Sequence, residues 1–128
     1  MKAISTNKAP SAIGPYSQAV SASGLLFVSG QLPINPESGA IEATDVVGQL
    51  HQSMKNIAAI AQEAGTSLKN TVKTTILMQD LSEFAAVNDA YGSYLNEPYP
   101  ARAAYAVAAL PKGALIEIEA VIALEGDE

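Results

Sequence analysis

The sequence predicts an α+β fold in which a mixed or antiparallel sheet carries two helices on one face. Two observations predict it. Short strand-like segments lie near both ends and in the middle of the chain. Two longer segments between them have apolar residues at helical spacing. The resulting order of elements is β-β-α-β-α-β-β, and residues 1 to 128 are expected to form a single domain.

The first two strands are expected to form a β-hairpin. Residues Tyr16 to Ser21 and Leu25 to Ser29 are strand-like runs, and Ala22-Ser23-Gly24 joins them as a turn. Gly24 can adopt the positive φ that such turns require. The next segment, LPINPESGAIE, is rich in Pro and Gly and predicts a loop.

Two amphipathic helices are predicted. The first runs from Asp45 to Ala64, with Thr44 or Asp45 capping its start and Gly65 ending it. Ser82 is the predicted cap of the second helix. The apolar stripe of the first helix is Val47, Leu50, Met54, Ile57, Ala61 and Ala64, and that of the second is Phe84, Val87, Tyr91 and Leu95.

Three further strands complete the sheet, at Thr71 to Met78, Ala101 to Val107 and Leu115 to Leu124. Alternation in the last strand puts Ile116, Ile118 and Ala120 on one side and Glu117 and Glu119 on the other. If the helices lie on the isoleucine side, the glutamates face the bare side of the sheet. The segment from Arg102 to Val107 is too apolar for a fully solvated sheet, so a second subunit is expected to lie against it.

Composition limits the possible functions. Thirteen acidic residues against seven basic ones give a net charge of -6, which repels polyanions and makes nucleic acid a poor partner. The absence of cysteine excludes disulfides, thiol catalysis and Cys metal sites. His51 is the only histidine, so a metal site is not indicated, and we expect it to be a surface or half-buried residue. The GxSxG motif of a serine nucleophile elbow is absent. The motifs GxxxxGK and GxGxxG are also absent, so no nucleotide cofactor is predicted.

The sequence also favours a cytoplasmic protein that does not enter a membrane. Its N-terminal segment lacks an apolar run of signal-peptide length, and no segment reaches about 18 consecutive apolar residues. The acidic tail Glu125-Gly126-Asp127-Glu128 is expected to be a solvated end.

Arg102 is the only arginine of the chain and lies among small uncharged residues. A charge on a covered face needs a partner, because burying it alone costs several kcal/mol. Two interpretations are open. Arg102 and Glu117 can form a salt bridge at an interface, or Arg102 can hold a ligand carboxylate while a nearby glutamate acts as a base.

Four stretches of the sequence together resemble a known protein family. GPYSQAV, LFVSGQLP, FAAVN and YPARAAYAVAALPKGALIEIEA occur in this order and resemble the Rid family of reactive intermediate deaminases, also called the YjgF family. The resemblance extends over essentially the whole chain. It implies a homotrimer of chorismate mutase-like subunits with three clefts between them. It also implies hydrolysis of enamine and imine acids, such as 2-aminoacrylate and 2-iminobutanoate, to 2-keto acids and ammonia without a cofactor.

The resemblance also implies roles for individual residues. Arg102 corresponds to the carboxylate-binding arginine and Glu117 to the water-activating glutamate of the family. The implied substrate-binding residues are Tyr16, Ser29, Gly30, Asn88, Arg102 and Ala104. Ala104 replaces a cysteine common in deaminating members, and it preserves the contact if that residue acts through its backbone carbonyl.

Two alternatives stay open at this point. One is an endoribonuclease or translation inhibitor, which is a function also attached to the family. The other is a trimer that binds small carboxylates without turnover.

Overall fold

The computed structural model describes residues 1–124, and the acidic tail beginning at Glu125 lies outside the described residues. Eight strands and two α-helices occur in this range. The strands are β1 (Lys2–Ile4), β2 (Ala19–Ala22), β3 (Leu25–Gln31), β4 (Ile34–Asn35), β5 (Ala40–Ile41), β6 (Thr71–Met78), β7 (Ala101–Ala106) and β8 (Ile116–Ala123), and the helices are α1 (Val46–Glu63) and α2 (Phe84–Gly92).

Six of the strands form one mixed sheet in the order β1-β2-β3-β8-β6-β7. All neighbours are antiparallel except β6 and β7, which are parallel at one edge. Helix α1 packs on β8, β3 and α2, so both helices lie on one face of the sheet. The core between these layers is apolar and includes Leu50, Met54, Ile57, Ile76, Val87, Ile118 and Ile122. The predicted fold class is therefore confirmed.

The predicted hairpin is present, but its first strand begins at Ala19 instead of Tyr16. Its two-residue turn has positive φ at both Ser23 (55°) and Gly24 (75°), as a type I′ turn requires. The preceding residues are held by the buried side chain of Gln18, which donates to the carbonyls of Thr6 and Pro10. Gln18 thus makes long-range side-chain bonds at a position where the sequence predicted a strand residue.

Both ends of α1 are as predicted. Asp45 is the N-cap, and its side chain accepts from the N–H of Gly48. At the other end Gly65 has a φ of +86°, its N–H donates to Gln62, and the N–H of Thr66 donates to Ala61. These are the bonds of a Schellman motif, which satisfies carbonyls that the helix leaves free.

The predicted cap of α2 is wrong. The N-cap residue is Glu83, without a side-chain cap bond, and the hydroxyl of Ser82 donates instead to Oδ1 of Asp80 at 2.6 Å. A local bond between neighbouring polar side chains competes successfully with capping here. Leu95 lies beyond the end of the helix but is buried, so its assignment to the core holds.

Three short strands were not predicted from the sequence. β1 extends the sheet by pairing with β2, and β4 and β5 form a two-stranded ribbon inside the predicted loop. Segments of two or three residues contain too few side chains to show a period of two. His51 is half-buried, as expected, and its Nδ1 lies 2.6 Å from the hydroxyl of Tyr94.

The two faces of β8 differ as predicted. Ile116, Ile118 and Ala120 are buried under the helices, whereas Glu117 is half-buried and Glu119 exposed on the other face. On β7, Tyr105 remains 51% exposed in the single chain. Coverage of this region by a second subunit remains a prediction.

Neither helix in the described range is long and apolar enough to cross a membrane.

Candidate active site

Arg102 projects from edge strand β7 toward helix α2. It pairs in register with Thr74 of β6, whose buried side chain faces the helices, so Arg102 lies on the helix side of the sheet. Its Nη1 donates to Oδ1 of Asn88 at 2.6 Å. The guanidinium is otherwise exposed, and with Asn88 it lines an open cavity of about 660 Å³. The structure thus brings together two of the predicted site residues, and we call them the arginine half.

Two residues beside Arg102 were not predicted as site residues. The guanidinium carbon lies 5.4 Å from the ring centre of Phe84 and 5.2 Å from that of Tyr91. Both rings were assigned to the apolar stripe of α2. Their spacing contains the missing signal, because Phe84, Asn88 and Tyr91 follow an i, i+4, i+7 pattern and share one helix face.

Glu117 lies on the other face of the sheet, beside a β-bulge in β3. Between Val28 and Gln31 the strand has one residue more than the facing part of β8, and the extra length contains Ser29 and Gly30. The end of this bulge is fixed from the helix side, since buried Ser53 donates to the carbonyl of Gln31 at 2.9 Å.

Gly30 is required by close approach. A Cβ built at this position would lie 2.5 Å from Oε2 and 2.9 Å from Cδ of Glu117. These separations are shorter than any van der Waals contact, so a side chain here would displace the carboxylate. The bulge therefore holds Glu117 against bare backbone, and we call Gly30 and Glu117, with Ser29, the glutamate half.

The environment of Glu117 makes its carboxylate more basic. Partial burial raises the pKa of Glu117 above its ordinary value of 4.5, and the nearby negative charge of Glu119 raises it further. A carboxylate with a raised pKa is better suited to accept a proton near neutral pH.

Ser29 connects the glutamate half to the segment that contains Tyr16. The hydroxyl of Ser29 donates to the carbonyl of Ser17 at 2.6 Å, and its N–H donates to the carbonyl of Gln18. In the single chain this hydrogen bond from the Ser29 hydroxyl stabilises the loop that contains Tyr16. The ring of Tyr16 is 54% exposed.

The two halves lie on opposite faces of one sheet. Glu117 pairs with Leu77 of β6, and Arg102 pairs with Thr74 of the same strand. Partners across a ladder share a face, and residues 74 and 77 differ by an odd number, so their side chains point to opposite sides. Within one chain Arg102 and Glu117 neither form a salt bridge nor reach one ligand. Ala104 pairs with buried Ile76 and lies on the arginine side, half-buried against the core.

Comparison with known proteins identifies the family. The family model described as Endoribonuclease L-PSP matches residues 6–124. The chain belongs to the Endoribonuclease L-PSP family. Its relatives include a RutC family protein of Sinorhizobium fredii, 58% identical over 94% of this chain and 96% of that protein. They also include the mouse 2-iminobutanoate/2-iminopropanoate deaminase, 49% identical over 98% of this chain and 92% of that enzyme.

A solved structure supports the same L-PSP assignment. A protein of the conserved Rid family from Yersinia pestis superposes with a TM-score of 0.92 and 46% identity, covering 95% of this chain and 98% of that one. The resemblance to the Rid family seen in the sequence motifs is therefore confirmed.

Proposed function

We propose that the protein hydrolyses reactive 2-imino and 2-enamino acids, such as 2-iminobutanoate and 2-aminoacrylate, to 2-keto acids and ammonia. The reaction takes place in sites shared between neighbouring subunits of a homotrimer. Relatives named 2-iminobutanoate/2-iminopropanoate deaminase, about half of whose residues are identical to this chain, support the reaction. The placement of the two halves on opposite faces of the sheet supports the shared site.

That placement is the observation on which the proposal rests. A substrate with a carboxylate next to its C=N bond is only a few atoms long. The cation and the base must therefore both lie close to the same small molecule. In one subunit the sheet separates Arg102 from Glu117. Rotation about a closed symmetry axis can bring the arginine half of one subunit against the glutamate half of the next, three times in a trimer.

The chemistry divides between the halves. Arg102 remains protonated and binds the substrate carboxylate through its planar donors. Glu117 accepts a proton from a water molecule as that water attacks the carbon of the C=N bond, which gives a carbinolamine. Glu117 returns this proton to the nitrogen, and it then carries the hydroxyl proton of the carbinolamine to the nitrogen as well. The C–N bond breaks as the C=O bond forms, and ammonia leaves. Water is the only co-reactant, so the proposal includes no cofactor.

Small molecules fit the site better than RNA does. The chain has one arginine and a net charge of -6, whereas phosphate backbones bind to clusters of basic residues. We therefore assign the ribonuclease in the family description no role here. We also propose a cytoplasmic location, where dehydratases acting on serine and threonine would release the substrates.

A trapping assay tests the reaction. Threonine dehydratase produces 2-iminobutanoate, semicarbazide traps it, and the protein is expected to lower the yield of trapped product. Arg102→Ala and Glu117→Gln are each expected to abolish this effect while light scattering still shows trimers. Full trapping in the presence of the folded wild-type trimer would overturn imine hydrolysis for this substrate.

Mixed trimers test the shared site. Arg102→Ala and Glu117→Gln chains are refolded together in equal amounts, and a site is intact only where each partner supplies its unaltered residue. At each site, about half of the subunits that supply residue 102 have the arginine, and about half of those that supply residue 117 have the glutamate. Random assembly therefore restores about one quarter of the wild-type activity. In the control, Arg102→Ala is mixed with the double variant, and no activity returns. Failure of the first mixture to regain activity would contradict the shared site.

A further inference from the structure

Helix α2 presents three side chains to Arg102. Phe84, Asn88 and Tyr91 lie within two turns of the helix on one face, and each of them is next to the guanidinium. Asn88 takes one of the five donors of the guanidinium, at 2.6 Å. The two rings lie 5.4 and 5.2 Å from its carbon, within the approximately 6 Å in which a cation is attracted to an aromatic face.

Tyr91 is itself held in place from the sheet. Its side chain is only 5% exposed, and its hydroxyl lies 2.6 Å from Oγ1 of Thr74. Thr74 is the ladder partner of Arg102. Strand β6, helix α2 and strand β7 therefore form a closed chain of contacts, from Thr74 through Tyr91 to Arg102 and back along the ladder.

An exposed arginine would otherwise sample many rotamers. Ordering a free arginine side chain costs rotamer entropy, which ligand binding would have to offset. Arg102 is exposed, but the two rings and the Asn88 amide lie against its guanidinium. The remaining donors stay available to the cavity beside it.

We propose that Phe84 and Tyr91 form an aromatic clamp that positions the Arg102 guanidinium for binding a carboxylate. They act as positioning residues, because their rings restrict the rotamers of Arg102. The clamp itself is a property of the folded chain, and only its kinetic consequence rests on the deaminase function proposed above.

The single arginine makes the clamp directly observable by NMR. Every arginine side-chain signal of the protein belongs to Arg102. Protons that lie over aromatic faces are shielded, so the Hδ and Hε signals of Arg102 are expected upfield of their random-coil positions. Phe84→Leu and Tyr91→Leu are each expected to reduce this displacement, whereas Tyr91→Phe, which keeps the ring, retains it. Arg102 signals at random-coil positions in the wild-type protein would overturn the clamp whatever the variants do.

Kinetics and binding give the functional readout. The loss of one ring is expected to raise KM for 2-iminobutanoate by about 3- to 30-fold, with kcat changed less than about 2-fold. The dissociation constant of the product 2-oxobutanoate should rise by a similar factor, and Tyr91→Phe should remain close to wild type. Folded Leu variants with unchanged KM and product affinity would overturn the positioning role.

The two proposals fail in different ways. If the wild-type protein shows shielded Arg102 signals that the Leu variants lose, but does not hydrolyse imines, the clamp is supported and the deaminase function is wrong. If hydrolysis is present and the Arg102 signals are unshielded, the deaminase function is supported and the clamp is wrong.

Discussion

The two halves of the site are built by different means. The arginine half lies at the edge of the sheet, where a helix face and an edge strand hold an exposed cation. The glutamate half lies on an inner strand, where a bulge and a glycine hold a half-buried carboxylate against backbone. Each construction suits its group, because a permanent cation that must bind a carboxylate can stay hydrated. A base becomes stronger when it is partly removed from water.

Under the proposed mechanism, neither half can act within a single chain. A β-sheet is a single layer of backbone, and the side chains of alternate residues project from its two faces. Placing the cation on one face and the base on the other makes the site depend on a second copy of the chain. The proposed trimer is then required for catalysis, and mutations can inactivate either half without altering the other.

The largest expected effect separates binding from chemistry. Glu117→Gln keeps the size of the side chain but removes the base, so kcat should fall by about 10²- to 10⁴-fold. Arg102→Lys keeps the charge but loses the planar fork, so its main effect should be a rise in KM of about 10- to 100-fold. Steady-state kinetics with 2-iminobutanoate measures both.

The comparison breaks if the two variants show the same pattern. An equal loss of kcat in both would mean that Arg102 stabilises the transition state and is more than a binding group. An increase of KM alone in both would remove Glu117 from the chemistry.

The next effect tests the glutamate half through its glycine. A Cβ at residue 30 would collide with the mobile end of the Glu117 side chain, so Gly30→Ala should displace the carboxylate with little cost to the fold. A displacement of about 1 Å can reduce the rate by about 100-fold, and we expect a loss of this size in kcat/KM with a small change in Tm.

A double variant supplies the control. In the Glu117→Gln background the alanine has no charged base to displace, so Gly30→Ala should cause almost no further loss. A full additional loss there would show that residue 30 contributes independently of Glu117, for instance through its backbone N–H.

The sequence predicted the sheet, both long helices and the two faces of β8, because each of these has enough residues for a period to appear. It missed the strand that contains Lys2, since three residues show no period, and it misplaced the cap of α2, since Ser82 bonds to Asp80 instead. Such competition between local polar bonds depends on geometry that the order of residues does not contain.

The site was predicted less completely than the fold. Motif resemblance supplied Arg102, Glu117 and their neighbours, and the alternation in β8 supplied the face of Glu117. The opposite face of Arg102 depends on the register between β6 and β7, which are separated in the chain by the 22 residues from 79 to 100. The rings beside Arg102 were assigned to the core because an apolar stripe looks the same whether it faces a core or a cation.

The smallest expected effect concerns stability, and it tests whether the two halves touch when no substrate is bound. Burial and the charge of Glu119 raise the pKa of Glu117 in the folded protein. The folded state then binds a proton more tightly than the unfolded state does. The stability contribution of this group is present below pH 4.5, the ordinary pKa, and is lost as pH rises through the higher folded value. Glu117→Gln should therefore be slightly more stable than wild type at pH 7, and this difference should vanish at pH 4.

Urea unfolding of the trimers at both pH values measures the difference, with Glu37→Gln on an exposed loop as the control. A variant that is less stable than wild type at pH 7 would reverse the sign, because a cation close to Glu117 would make its ionised form favourable. The partner subunit's Arg102 is the cation that the shared site would bring near. The sign of this small difference therefore distinguishes a site whose charges pair directly from one that keeps them apart with room for water and substrate.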